Sequence, residues 1–254
     1  MNDDWCIACG VLGPDIPDSR DYKYAEKIAA SGSTISNNYS DCSLRKSIGP
    51  ILNQRTTNSC TGHSAVYGMN VLLNRIAGVE SGDYGINPWW PYYWARFYSG
   101  LEHRDGGAYM RSLMNALLLR GVYSNSMSSP DSKPGQYDLK DAFTLKEYFR
   151  ISNDLNELKY ALSEEKLPVF ANIAVYNDDM DSYSGIITPN KDGFSGYHAI
   201  CLTGLKTIKG VQYIEFANSW GTNWGDNGFG YIHPDCITDN KYMVDMYCPS
   251  YKYN

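Results

Sequence analysis

Apolar residues recur at helical spacing over the first half of the chain and give way to short strand-like runs over the second. From Cys60 onward, Val66, Met69, Leu72, Leu73 and Ile76 fall on one face of a 3.6-residue repeat, and Gly78 supplies a stop. Asn87 as N-cap with Pro88 at the first helical position announces a second helix, with Trp90, Tyr93, Trp94 and Phe97 as its apolar face. A third begins near Tyr109, carries Met110, Leu113, Met114, Leu117 and Leu118 on one side, and stops at Gly121. The stretch Ser124–Gly135, rich in Ser, Pro and Gly, reads as a crossing loop, and a short helix is expected near Asp154–Glu164. Beyond Pro168 the pattern changes. Val169–Val175, Tyr197–Leu205, Val211–Asn218 and Phe229–Ile232 read as strands. Helices first and a mostly antiparallel sheet second predict an α+β fold of two lobes. The helical lobe would span about residues 35–130 and the β lobe about residues 131–254, with a site in the cleft between them. Residues 1–34 read as an extension, turn-rich at Gly13–Asp18.

Composition narrows the choice of function. The 254 residues are 43% hydrophobic and 14% aromatic, enough for one sizeable core and contrary to disorder. The net charge is -6 and no basic cluster stands out, which argues against nucleic acid as a partner. No apolar run approaches the roughly 18 residues of a membrane span, so no membrane partner is expected. The N-terminus, Met-Asn-Asp-Asp-Trp-Cys, is acidic and no apolar stretch follows, which predicts a cytoplasmic protein unless it leaves by another route. Seven cysteines leave at least one without an intramolecular partner, and reduced thiols are the expectation in that compartment. Cys6 and Cys9 form a lone C-x-x-C. Redox or zinc chemistry there is the lesser reading, because zinc needs four ligands and no second pair follows. No metal and no cofactor are expected.

The candidate chemistry centres on Cys60. A thiol at a helix N-terminus feels the dipole and the unpaired N–H groups, which favour the thiolate. Alone, Cys60 reads first as a small buried apolar residue. A nucleophile needs a base and something to orient the base. His198 and Asn218 lie on two predicted adjacent strands, and if they face each other the hairpin turn centres on position 208, within Thr207-Ile208-Lys209-Gly210. That register opposes Ile200 to Phe216 and Leu202 to Ile214. An Asn oxygen accepts a hydrogen bond from one imidazole nitrogen and leaves the other for the thiol, with no added charge. Trp220 is placed to cover the His–Asn bond. Gln54, six residues before Cys60, is placed to share an oxyanion with the Cys60 N–H.

These separated stretches resemble the papain-like cysteine peptidase family. Pro50-Ile51-Leu52-Asn53-Gln54 with Ser59-Cys60 resembles its oxyanion glutamine and nucleophile, and Asp105-Gly106-Gly107-Ala108-Tyr109 resembles its substrate-pairing Asn-Gly-Gly segment. Gly196-Tyr197-His198-Ala199 resembles its histidine strand, and Asn218-Ser219-Trp220-Gly221-Thr222-Asn223-Trp224-Gly225 resembles its asparagine segment almost letter for letter. The resemblance covers roughly residues 41–254 and is nearest to bacterial or phage-type members with a short N-terminal segment. It implies hydrolysis of protein or peptide substrates through an acyl-enzyme. Cys60 would attack, His198 relay the proton, Asn218 orient His198, and Gln54 hold the oxyanion. Gly106 and Gly107 would admit substrate backbone, and Tyr109 and Tyr197 suggest an aromatic pocket. The rivals are an acyl transferase or peptide ligase using the same acyl-enzyme, and an inactive peptide-binding homologue. Some positions depart from the family. Thr57 and the region of Arg104 lack the usual disulfide cysteines, and Thr61 stands where the family has Trp. His63 is expected to pack beside its own helix, His103 to line the cleft or lie in solvent, and His233 to be structural. The extension is too short for a helical propeptide and is expected to lie against the lobes and partly screen the cleft.

Overall fold

A computed structural model describes residues 9–124, 127–135, 141–180, 184–189 and 192–250. The helices form where the 3.6-residue repeat placed them. After a short helix in the extension, α1 (Tyr24–Ala30), and a two-residue strand, β1 (Cys42–Ser43), comes the long helix α2 (Cys60–Ala77). It ends at Gly78, whose φ of 68° is the left-handed conformation a helix C-cap asks for. Next come α3 (Trp89–Tyr98) and α4 (Met110–Leu119). Asn87 caps α3 from one residue further out than expected, its Oδ1 accepting the Trp89 N–H at 2.9 Å. The buried face of α3 also differs. Tyr92 and Arg96 are inside while Phe97 is exposed, because α3 lies against both α2 and the loop ahead of α4.

The second half supplies seven strands of a sheet that β1 brings to eight among the described residues. β2 (Glu147–Ile151) is followed by α5 (Leu155–Ser163), whose N-cap Asp154 accepts the Asn156 and Glu157 N–H groups. Then come β3 (Val169–Tyr176), α6 (Asn177–Met180), β4 (Ile186–Ile187), β5 (Phe194–Ile208), β6 (Val211–Ala217), β7 (Phe229–Ile232), α7 (Pro234–Thr238) and β8 (Met243–Ser250). The spatial order is β2-β8-β3-β5-β6-β7-β4, with β1 also on β5. All pairs are antiparallel except β4 with β7.

The β5–β6 register differs from expectation. The turn is the two residues Lys209 and Gly210, both at positive φ (48° and 83°), which suits a tight hairpin matched to strand twist. Ile208 therefore opposes Val211, and a bulge between Leu202 and Gly204 then sets Leu202 against Phe216. The predicted Ile200–Phe216 and Leu202–Ile214 pairs do not form; Ile214 faces Leu205. Near the site the slip is two residues. An even slip keeps each side chain on its predicted face.

One core runs through both halves. α2 lies directly on the sheet at Gly68, where a Cβ would come within 2.4 Å of the Phe170 ring on β3. Tyr24 and Ile28 of α1 belong to the same core, so the extension is part of the folded body. Gly68→Ala should therefore lower the unfolding free energy by about 1–3 kcal/mol through overpacking, despite the better helix propensity of Ala. A urea midpoint at or above that of the parent would contradict this close packing.

Candidate active site

Cys60 is the first residue of α2 and is fully buried. Backbone N–H groups of Ala199, Gly10 and Thr61 point at its sulfur. His198 lies on β5, and its Nε2 meets Asn218 Oδ1 at 2.8 Å. Asn218 sits just past the end of β6, so the pair meets without the direct cross-strand pairing predicted for it. Asn218 is fixed on three sides. Its Oδ1 also accepts the Ser219 N–H (2.8 Å), its carbonyl accepts the Tyr67 hydroxyl (2.9 Å), and its N–H donates to the Gly228 carbonyl (2.9 Å). His198 Nδ1, also buried, has no hydrogen-bond partner. The Trp220 ring lies over the imidazole at 4.7 Å and 30°, backed by Trp224 at 5.2 Å, which places it as a cover over the His–Asn bond.

Gln54 is also buried and locked. Its N–H donates to the Ser219 carbonyl (2.8 Å), its Oε1 accepts the Ser219 hydroxyl (2.6 Å), and its Nε2 donates to the Thr57 carbonyl (2.7 Å). Ser219 thus orients both Gln54 and Asn218. It stands inside the Asn-Ser-Trp-Gly run and was readable there, whereas nothing in the sequence marks Tyr67 among 22 tyrosines.

Residues 10–12 of the extension run between the two walls beside Cys60. Ala108 N–H donates to the Gly10 carbonyl (3.0 Å), Leu12 N–H to the Ala108 carbonyl (3.3 Å), and Val11 N–H to the Tyr197 carbonyl (3.1 Å). Gly107, at φ 83°, admits this approach: a Cβ there would lie 2.3 Å from the Gly10 carbonyl oxygen. Gly106 does not share in it, since its nearest neighbours are Arg104 and Leu101. Tyr197 supplies backbone to the cleft while its ring packs on Phe194, and Tyr109 stands exposed at the head of α4. His63 is buried on its own helix, its Nδ1 2.9 Å from the Ser59 carbonyl and its ring edge-on to Trp89. His103 is 84% exposed beside Glu102, and His233 caps α7.

The extension is anchored further on. Asp15 Oδ2 accepts the Arg111 N–H (2.9 Å) and the Tyr247 hydroxyl (2.8 Å), and its own N–H donates to Asp245. Arg111 reaches both the Ile16 carbonyl and Asp21, and Arg150 pairs with Asp245 at 2.6 Å.

Burial decides the ionisation. It pushes the Cys60 thiol up to about 11 against the N–H groups aimed at it. It pushes the His198 imidazole down to about 4, opposed by the Asn218 bond and helped by nearby His63. In this state thiol and imidazole are both neutral at pH 7. The expected help from the helix dipole, typically 0.3–1 kcal/mol, is outweighed by desolvation.

A family model for papain family cysteine protease matches residues 92–248, more than half of the chain. This chain belongs to the papain family of cysteine proteases. The matched span holds His198 and Asn218, and Gln54 and Cys60 lie ahead of it. Among similar proteins, "Peptidase 1" of Euroglyphus maynei is 33% identical over 109 residues, 41% of this chain and 33% of that protein. A gut-specific cysteine proteinase of Caenorhabditis elegans is 41% identical over 66 residues, 26% of this chain and 20% of that protein. The match thus spans a third or less of these relatives' length. Solved structures extend the family fold over the whole chain. Xylellain, a cysteine protease from Xylella fastidiosa, superposes with a TM-score of 0.76 at 22% identity, covering 96% of this chain and 97% of that one. Digestive procathepsin L2 from Tenebrio molitor gives 0.75 at 19%, covering 98% and 81%. The papain-like α+β fold read from the sequence is the fold of this family member.

His63 offers a check on the burial of the site. Its folded-state value is lowered to about 4 from an ordinary 6.5, so the unfolded chain binds the proton first and the native state loses stability as pH falls between those values. Comparing urea unfolding of His63→Gln with the parent should show the difference shifting toward the variant by about 1.4 kcal/mol per pH unit across that window. A pH-independent difference would mean that His63 is solvated.

Proposed function

We propose that this chain is a cysteine endopeptidase acting on protein or peptide substrates, held latent by its own residues 9–12. The observation that carries the reading is the His198–Asn218 bond. It engages Nε2 and leaves the buried Nδ1 without a partner, on the strand whose Ala199 N–H points at the Cys60 sulfur. In the reaction, the Cys60 thiol passes its proton to His198 Nδ1 and the sulfur attacks the substrate carbonyl carbon. The tetrahedral oxyanion is held by the Cys60 N–H and Gln54 Nε2. Collapse expels the amine, which takes the proton from His198, and leaves a thioester. Water, deprotonated by the same imidazole, attacks the thioester and regenerates the thiol. Asn218 Oδ1 holds the Nε2–H throughout, and Trp220 keeps water off that bond.

An extended substrate would pass close over Gly107 and pair with the Ala108 N–H and carbonyl and the Tyr197 carbonyl, the groups residues 10–12 now occupy. The extension presents the Gly10 N–H to the sulfur rather than a carbonyl carbon, which supports a blocking role. Its removal re-solvates Cys60 and His198 and lets them approach the ion pair. The six described cysteines are free thiols, which supports a reducing, cytoplasmic setting.

Deleting all of residues 1–34 would strip buried Asp15, Tyr24 and Ile28, so a point change is the cleaner test. A Cβ on Gly10 would lie 1.9 Å from the Asn58 carbonyl oxygen, so Gly10→Val should eject the segment while the anchors at residues 13–30 stay. Its kcat/KM on a fluorogenic peptide should rise about tenfold or more, in proportion to the fraction of open molecules. Adding Gln54→Ala should then cost about 10²–10³ in turnover. Activity in Gly10→Val no higher than in the parent would remove the latency, and activity surviving Cys60→Ala would remove the nucleophile.

A further inference from the structure

Two loops meet beside Cys60: residues 57–59, which lead into α2, and residues 104–107, which lead toward α4. The family resemblance implies a disulfide between such loops, and Thr57 and Arg104 hold no cysteine. One position further along each loop the join is made by hydrogen bonds. The Asn58 backbone N–H donates to both carboxylate oxygens of Asp105 (3.2 and 3.1 Å), and Asn58 Nδ2 donates to the Asp105 carbonyl at 2.8 Å. A third element joins them. The buried Tyr92 of α3 donates its hydroxyl proton to Asp105 Oδ1, and the Tyr92 hydroxyl oxygen in turn accepts the Gly107 N–H at 3.1 Å. Arg96 lies over the Tyr92 ring at 4.6 Å and donates to the Arg104 carbonyl at 2.6 Å. Tyr92 also braces the first turn of α2, since a Cβ on Gly62 would come within 2.7 Å of Tyr92 Cβ.

One carboxylate therefore ties together the backbone ahead of Cys60, the helix packed on the start of α2, and the Gly107 backbone that lines the cleft. We propose that Asp105 is a positioning residue for the reaction of Cys60, a carboxylate clamp that sets the nucleophile and its N–H against the substrate-pairing backbone. This rests on the reading of Cys60 as the nucleophile. Acyl transfer needs the sulfur, the oxyanion donor and the substrate carbonyl in one fixed relation, and a shift of about 1 Å costs on the order of 10² in rate. Charged acceptors make short, strong bonds with backbone N–H groups, so the clamp suits a loop that no covalent link holds. Asp105 touches none of the reacting atoms, and its effect runs through Asn58 and, by way of Tyr92, through Gly107.

The test uses the full-length chain with and without Gly10→Val. It measures kcat and KM on a fluorogenic peptide amide, the melting temperature, and alkylation of Cys60 by iodoacetamide read by mass spectrometry. Asp105→Ala should lower kcat about 10²-fold while KM moves less than about threefold and Cys60 is still alkylated. Asp105→Asn keeps an acceptor for the Asn58 N–H and should recover to within about tenfold of the parent. Asp105→Ala with an unchanged kcat, or Ala and Asn variants equally impaired in step with their melting temperatures, overturns the clamp. If Asp105→Ala does not fold, Tyr92→Phe carries the test: measured well below its melting temperature, where the variant is fully folded, kcat should fall about tenfold, and an unchanged kcat overturns the proposal. Cys60→Ala run in parallel separates the two readings. Surviving activity there overturns the nucleophile and the clamp with it, whereas loss there with Asp105→Ala unaffected overturns the clamp alone.

Discussion

The bond from His198 Nε2 to Asn218 Oδ1 is the constraint around which the sheet side of the cleft is arranged. It requires a histidine held rigidly on β5 and an asparagine held just past β6. The two-residue turn at Lys209–Gly210 and the bulge beyond Leu202 together bring Asn218 to the right height. It also requires that the asparagine not rotate. Ser219, Gly228 and Tyr67 supply that restraint, and Tyr67 comes from α2, two turns beyond Cys60. The helix that presents the thiol thus also braces the group that orients its base. A change in how α2 sits on the sheet would displace both partners together.

The second governing balance is between burial and ionisation. A thiolate–imidazolium pair needs solvent or fixed dipoles, and the backbone N–H groups around Cys60 are such dipoles. With residues 9–12 in place they do not suffice, and both groups stay neutral. The segment beside Cys60 is short and glycine-containing, and it is held by three backbone hydrogen bonds to Ala108 and Tyr197, by the Gly10 N–H aimed at the sulfur and by the buried Val11 side chain. Further along, the cluster at Asp15, Asp21, Arg111, Arg150 and Asp245 adds to the hold of the buried Tyr24 and Ile28. Burial and the neighbouring Asp245 push the Asp15 carboxyl from 3.8 up to about 6, so docking weakens as pH rises between those two values and changes no further above them. In the latency proposed above, the residues that would block and the residues that anchor are thus neighbours on one segment rather than the same groups.

Much of this was legible in the sequence, for definite physical reasons. α2, α4, β3 and β7 emerged with nearly their predicted bounds because each buries an unbroken apolar face. The site residues were legible because they sit in short motifs whose chemistry is distinctive. The register was not, because a bulge leaves no trace in hydrophobic pattern, and the faces survived only because the slip was even. β2 and β8 were missed because Arg150 and Asp245 interrupt their apolar runs. Those two charges neutralise each other across the paired strands, which no local pattern reveals. Asp15 was missed in the same way, with its Tyr247 partner far along the chain, and Arg96 because it is satisfied by backbone carbonyls and the Tyr92 ring, which no charge pattern marks.

The cleft of this chain shows how a covalent restraint can be exchanged for a polar one. A disulfide stabilises by about 2–4 kcal/mol, mainly by restricting the unfolded chain, and only where the compartment is oxidising. Hydrogen bonds to a charged acceptor are worth about 1.5–3 kcal/mol each and act in the folded state alone. Asp105 receives two such interactions, from the Asn58 N–H and the Tyr92 hydroxyl, so the two devices are of similar size. They differ in what they demand. The disulfide needs an oxidant and tolerates a poorly packed neighbourhood, whereas the half-buried carboxylate needs a Tyr92 braced in place, with the Arg96 guanidinium stacked on its ring. That demand explains why the residues around Asp105 are large and buried on α3, and why the face of that helix departs from the apolar stripe its sequence suggests.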